Sequence, residues 1–146
     1  MTIDKNKFYY ANGKRKTATC RIRIYPGSAE IIIKEVKLNK GDIYVNELPI
    51  SQYFPGEMAK THYLEPFRTT NTLNRFIITA ICSGSGNSSQ LDAFIHASSR
   101  ALSEVDPEKF HAILAKRGFL TRDDRKKERK KPGLMGARKK KQSPKR

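Results

Sequence analysis

The protein has 146 residues, of which 30 are Lys or Arg and 14 are Asp or Glu, so its formal net charge is +16. This length is typical of one compact domain, and the hydrophobic share of 37% indicates a small core or a segment outside it. No run of about 18 apolar residues is present, which excludes a membrane-spanning helix. The first residues lack the apolar stretch of a secretory signal, and two cysteines are too few for a disulfide framework or a zinc cluster. We therefore expect an intracellular protein.

The positive charge is concentrated at the C-terminal end. Residues 1–115 hold 15 basic and 11 acidic side chains, whereas residues 116–146 hold 15 basic and 3 acidic ones. This end has few large apolar groups to offset its ordering entropy, so we predict a globular RNA-binding domain over 1–118 and an extended basic tail over 119–146. The charge favours a nucleic acid over an anionic membrane, because no amphipathic apolar face accompanies it. A solubilising tail is the alternative.

Residues 17–25 alternate between apolar and polar side chains, which predicts a half-buried strand. Arg21 and Arg23 share its open face with other polar residues. A cationic face suits a phosphate backbone, and a merely solvated face fits the same pattern equally well.

Two further strands are predicted at 29–38 and 42–46, joined by a turn over 39–42. Short helical pieces are expected over 50–63, interrupted at Pro55-Gly56. These assignments follow from the positions of the turn-forming and apolar residues.

Residues 73–82 are apolar on both faces, which predicts a central strand. A glycine-rich loop over 84–88 follows it and leads into a helix over 88–105. The large residues of this helix form an apolar stripe, namely Leu91, Phe94, Ile95, Leu102 and Val105. Its far side is mostly small, and we expect a bulky partner to approach there. The far-side residues are Ser89, Ala93, Ala97 and Arg100.

The last predicted helix begins with Asp106 as N-cap and Pro107 at its first position, and it ends near Gly118. Three apolar residues are expected to point inward, namely Phe110, Ile113 and Leu114.

The sequence does not suggest an enzyme. The loop over 84–88 lacks the Gly-Lys-Ser/Thr of a P-loop and the Rossmann spacing, so a tight strand-to-helix turn fits it better than a nucleotide site. His62, His96 and His111 are scattered, without acidic or thiol partners at ligand spacing. We predict no catalytic residues, no metal site and no cofactor.

Three stretches together resemble a known family. Residues 10–18, YANGKRKTA, resemble the N-terminal signature of the universal small-subunit ribosomal protein nine family, in its bacterial type. Residues 84–102 resemble its central signature, and residues 118–131 resemble its basic C-terminal stretch. The match continues through Gly133, Ala137, Arg138 and the final Lys145-Arg146.

The resemblance implies an α/β fold, with a mixed sheet backed by helices and an unusual left-handed βαβ crossover. It also implies a structural constituent of the small-subunit head, located in the cytoplasm or in an organelle. Such a protein would bind rRNA, touch neighbouring proteins of the head, and reach the anticodon stem-loop of peptidyl-site tRNA with its tail.

Carried over residue by residue, the resemblance assigns rRNA contacts to the body and the tail. The body residues are Lys14, Arg15, Lys16 and Arg100, to which the strand pattern adds Arg21 and Arg23. The tail residues are Arg122, Arg125, Arg129, Lys130, Lys131 and Arg138. The tRNA contacts are Lys145 and Arg146.

The chain departs from the family pattern at several places. Ser85 and Ser89 stand where glycine is usual, and Ile95 stands where Arg is frequent. The usual aromatic residue near the end is absent from Gln142–Arg146, so stacking on a base there is not expected. Residues 29–46 are longer than the usual hairpin, and they could meet a neighbouring protein or face solvent.

Two other functions compete with the ribosomal interpretation. A free nucleic-acid-binding protein with a basic tail would bind duplex DNA as well as rRNA. An enzyme using the loop over 84–88 would bind a nucleotide through its isolated domain.

Overall fold

The computed structural model describes residues 8–27, 30–33 and 36–144. Within these ranges the chain forms a mixed sheet and helices, which confirms the predicted fold class. The strands are β1 Tyr9–Arg15, β2 Ala18–Tyr25, β3 Glu30–Ile33, β4 Val36–Asn39, β5 Ile43–Val45, β6 Leu48–Pro49 and β7 Ile77–Ser83. The helices are α1 Ile50–Tyr53, α2 Glu57–Thr69, α3 Asn87–Val105 and α4 Pro107–Lys116.

The main sheet has the strand order β1-β2-β7-β5-β6. Strands β5 and β7 are parallel, and the other neighbouring pairs are antiparallel. The parallel pair is connected through β6, α1 and α2, so this segment is the crossover for which the resemblance implies a left-handed sense. That handedness stays a prediction.

The single strand expected over 29–38 is wrong. The structure has two strands there, and Glu30 of β3 pairs with Asn39 of β4 in a separate two-stranded sheet. Folding the segment on itself pairs its backbone groups, which a lone strand would leave without partners. The predicted turn over 39–42 and the helix break at Pro55-Gly56 are confirmed.

Strand β7 is central, as predicted, but only its first half is covered on both faces. Ile77 is buried with Tyr25 and with Leu38 of the β3–β4 hairpin. The hairpin does not extend over Ile81, which is 64% exposed on the same face. The central position is therefore confirmed, while the outer face of the C-terminal half of β7 is open at Ile81.

Helix α3 packs its small residues against β1 and β2, so the expected docking side for an outside partner is in fact part of the core. Ala93, Ala97 and Ala101 are fully buried. A Cβ at Gly13 of β1 would overlap the Ala93 carbonyl and the Ala97 backbone nitrogen. The large residues Phe94 and Leu102 are buried as well, because α3 also packs against α2 and α4.

Helix α4 has the predicted ends. The Asp106 carboxylate accepts a hydrogen bond from the Lys109 amide at 3.3 Å. Gly118 has φ +76°, and the Phe119 amide donates to the Leu114 carbonyl, which is the Schellman ending. Phe110 and Leu114 are buried as expected, but Ile113 is exposed, so the inward orientation predicted for it is wrong.

The core thiols pack against each other. Cys82 donates a hydrogen bond to Cys20 over 2.9 Å, and both side chains are buried in opposed positions of β2 and β7. This hydrogen bond and the burial raise the pKa of Cys20, so the thiol stays protonated. In the described part of the chain, no helix has both the length and the apolar character needed to cross a bilayer.

Candidate nucleic-acid interface

The outer face of the sheet carries the cations that the strand pattern predicts. Arg21 and Arg23 are exposed on β2, whereas Ile22 and Ile24 between and beside them are fully buried on the opposite face. The Arg23 guanidinium lies over the ring of Phe8, 5.0 Å from its centroid. This contact holds one of the two cations in place.

The β1–β2 turn presents two further cations. Lys14 and Lys16 are exposed, and Lys16 has φ +51° in a two-residue turn. The tight pairing of Arg15 with Ala18 fixes where these side chains leave the body.

Arg15 has a different environment from its two neighbours. Its guanidinium lies 3.4 Å from Asp92 of α3 and 3.0 Å from Asp123 of the tail, and its side chain is only 17% exposed. It also donates a hydrogen bond to the Arg125 carbonyl at 3.0 Å. Arg15 thus joins the hairpin, α3 and the start of the tail, and we call Arg15, Asp92 and Asp123 the tail anchor.

Asp123 is the residue by which the tail takes part in the tail anchor. Its carboxylate accepts hydrogen bonds from the Arg125 amide at 2.9 Å and from the Arg125 guanidinium at 2.7 Å. These bonds, together with the Arg15 charge, hold the pKa of Asp123 well below its usual range. The carboxylate therefore remains charged throughout the neutral range.

Two side chains of α3, the exposed Arg100 and the half-buried His96, lie near the tail anchor. Arg100 donates to the Asn12 carbonyl at 2.8 Å and to the Asn12 side-chain oxygen at 2.9 Å, so it supports β1 while remaining exposed. His96 Nδ1 accepts a 3.4 Å hydrogen bond from the Lys14 amide. Burial, and then the Arg100 charge, lower the pKa of His96. A neutral ring is what this acceptor role requires.

The tail beyond the anchor has more cations than its carboxylates can pair. Residues 122–131 belong to no helix or strand. Arg122 lies 3.1 Å from Asp124, while Lys131 and Arg138 share Glu128 at 2.9 and 3.0 Å. Among the described residues, no carboxylate is paired with the other predicted tail contacts, Arg129 and Lys130. The predicted tRNA contacts, Lys145 and Arg146, lie outside the described residues.

Comparison with known proteins identifies the family. A family model described as Ribosomal protein S9/S16 matches residues 13–146. The small ribosomal subunit protein uS9 of Rickettsia bellii is 42% identical over 144 residues, which is 99% of this chain and 80% of that protein. The proteins of the same name from Desulfotalea psychrophila and Lawsonia intracellularis are 42% and 43% identical, covering 94% and 96% of this chain and 96% and 98% of theirs.

The chain belongs to the ribosomal protein S9/S16 family. This confirms the resemblance that residues 10–18, 84–102 and 118–131 carry. Members of this family are structural components of the ribosome rather than enzymes, which also confirms the expectation of a non-enzymatic, bacterial-type protein.

The glycine-rich turn of the family signature has a structural reason. Gly84 has φ +78°, and a Cβ there would press against the Thr17 carbonyl. Ser85 adopts φ +50°, so the serine that replaces the usual glycine is held in the left-handed region at a cost of about 1–2 kcal/mol. This turn brings the start of α3 close to the basic β1–β2 turn.

A chain of side-chain hydrogen bonds holds the same turn. Asn46 donates to the Tyr53 hydroxyl at 3.0 Å, Tyr53 donates to Gln90 at 2.6 Å, and Gln90 donates to the Gly84 carbonyl at 3.0 Å. The Gln90 of the signature therefore has a positioning role in this chain. No local pattern indicates it, because its partners lie 6 and 37 residues away.

Two departures from the family pattern fall inside the packed body. Ser89, at the position where the resemblance leads us to expect glycine, is buried. Ile95 is half-buried beside the tail anchor, so it adds apolar packing where an arginine would add charge. No sequence pattern indicates Asp92 or Phe8, because their contacts with Arg15 and Arg23 depend on the tertiary fold.

Proposed function

We propose that this protein is a constituent of the small-subunit head that binds small-subunit rRNA through its outer sheet face, its β1–β2 turn and its tail. We propose further that the end of the tail contacts the anticodon stem-loop of peptidyl-site tRNA. Family membership supports the ribosomal location, and the excess of basic over acidic residues in the tail supports the RNA contacts.

The tail anchor is the main structural observation that supports this proposal. A tail joined to α3 and the β1–β2 turn at Asp123 leaves the body at one defined place. Its excess cations repel one another in water and are stabilised against phosphates, where each neutralised phosphate releases condensed counterions. Folded RNA provides a path of defined shape for such a segment, so no base-specific reading is required.

The length of the tail suits a contact far from the body. From Asp123 to Arg146 the chain can span at most about 80 Å when fully extended. Pro144 restricts the backbone just before the last two cations and favours an extended approach. Lys145 and Arg146 would act as charged hydrogen-bond donors to tRNA phosphates.

Sedimentation tests the ribosomal assignment. A tagged full-length copy is followed through a sucrose gradient in moderate salt, and the subunit fractions are then washed in high salt. We expect the protein to migrate with small subunits and to remain after the wash, because a threaded tail holds by shape as well as by charge. A position at the top of the gradient would refute the proposal and favour a free nucleic-acid-binding protein.

A further inference from the structure

A groove of about 800 Å³ lies on the outer face of the sheet, beside the β3–β4 hairpin. The main strands form its floor, and the hairpin contributes one wall. We call it the sheet groove. The residues that define it are Tyr10, Arg21, Arg23, Leu38, Tyr44 and Ile81.

The sheet groove combines exposed aromatic and apolar surface with two cations. Tyr10 is 44% exposed although it lies within a strand, and Ile81 is exposed on the same side. Exposed aromatic and apolar side chains on either side of two cations are typical of a binding surface. Tyr10 pairs with Arg23 across β1 and β2, so the two side chains leave neighbouring strands on the same face of the sheet.

We infer that the sheet groove binds an unpaired nucleotide of RNA, with its base against Tyr10 and the adjoining phosphates on Arg21 and Arg23. This inference rests on the proposed function, because it takes rRNA as the partner of this chain. It adds where on the body one RNA contact lies and which kind of nucleotide binds there. Neither follows from the family match or from the tail.

The backbone spacing of the two arginines along β2 allows them to contact consecutive phosphates. Residues two apart on a strand lie about 6.6 Å from each other, which is comparable to the separation of neighbouring phosphates along one nucleic-acid strand. A guanidinium can donate two parallel hydrogen bonds to phosphate oxygens. Arg23 is already held over Phe8, so binding immobilises one side chain less than it otherwise would.

The exposed Tyr10 ring favours an unpaired base over a duplex. Bases in an RNA helix are stacked on their neighbours, and its deep major groove does not admit side chains. An open sheet with an exposed ring offers a flat platform on which a single base can stack. Glu47 also lines the groove, on the β5–β6 turn, where its carboxylate would repel phosphates. We therefore expect the phosphates on the β2 side, where Arg21 and Arg23 lie.

The test separates base stacking from the general attraction of the basic tail. The full-length protein is titrated into a short labelled oligouridine and into an abasic oligomer of the same length at constant salt, and binding is followed by fluorescence anisotropy. We expect Tyr10→Ala to weaken oligouridine binding by about 5- to 100-fold and to leave binding of the abasic oligomer unchanged. Tyr10→Phe, which keeps the ring, should bind like the wild type.

A matched pair of double variants tests the phosphate contacts. Arg21→Ala with Arg23→Ala removes the same charge as Arg68→Ala with Arg75→Ala, and the second pair is exposed outside the groove. We expect the first pair to weaken binding of both oligomers more than the second pair does. Equal losses would mean that only net charge matters and would overturn the inference.

The remaining outcomes are equally decisive. If Tyr10→Ala affects the binding of both oligomers equally, or of neither, no base stacks in the groove. If subunits reconstituted with the Tyr10→Ala variant lose a neighbouring protein while oligouridine binding stays intact, the groove is a protein contact instead. In both cases a wild-type protein that still sediments with small subunits leaves the proposed function standing, whereas one that does not sediment with them refutes that function itself.

Discussion

Replacing Gly13 with alanine tests the close packing of β1 against α3. The added Cβ would overlap the carbonyl of Ala93 and the backbone nitrogen of Ala97. Both are backbone atoms of a long helix, so no side-chain rotation can relieve the overlap. The helix must move away from the strand along the interface that Ala93, Ala97 and Ala101 fill.

The expected cost of Gly13→Ala lies at the upper end of overpacking, about 3 kcal/mol. For a body of this size, that loss lowers the melting temperature by roughly 10 °C. Urea unfolding followed by circular dichroism measures the free energy, and a thermal scan measures the shift. Gly13 lies on β1 directly before Lys14 and the basic β1–β2 turn. A shift of β1 would displace these cations, so we also expect weaker incorporation into small subunits.

Gly136→Ala is the matched control, because a Cβ there meets only the Lys139 side chain at an ordinary 3.6 Å. It should change the free energy of unfolding by less than about 0.5 kcal/mol. A Gly13→Ala protein within the same margin of the wild type would refute the close approach and the reasoning built on it.

Three further predictions concern the tail, its anchor and its pH dependence. Arg15→Ala releases Asp123 and Asp92, so we expect limited proteolysis to cut the tail several-fold faster while the body unfolds at nearly the same urea concentration. His96 has a lowered pKa in the folded state, so the unfolded chain binds more protons, and stability should fall as the pH drops below about 6.5. His96→Gln should reduce this acid sensitivity in urea unfolding at pH 7 and pH 5. Deleting Lys145 and Arg146 should weaken retention of peptidyl-site tRNA on subunits in filter binding without blocking assembly.

Each of these predictions has its own control. Arg117→Ala breaks an exposed ion pair at 3.7 Å and should leave tail proteolysis unchanged, so equal acceleration would count against the anchor. An acid sensitivity that His96→Gln leaves intact would assign it to another group. Lys139→Ala with Lys140→Ala removes the same charge as the terminal deletion, and equal tRNA loss from both would show that only tail charge matters.

The sequence determined the features that depend on near neighbours. The two-residue period of 17–25 places Arg21 and Arg23 on one face because strand side chains alternate whatever covers them. Asp106, Pro107 and Gly118 set the helix ends through local backbone chemistry. The separation of charge between body and tail needs only composition, and the ordered signatures identified the family.

The tertiary structure decided the features that depend on distant partners. Helix α3 is apolar on two sides, so its sequence pattern does not show which side meets the sheet. The close approach of Gly13 in β1 to the backbone of Ala93 and Ala97 places the small side there. Arg15 looked like its basic neighbours, yet it lies against Asp92 and Asp123, respectively 77 and 108 positions further along the chain. Such contacts follow from how the chain returns on itself. A local pattern records which residues can be buried or charged, but only the packed fold selects which partners they meet.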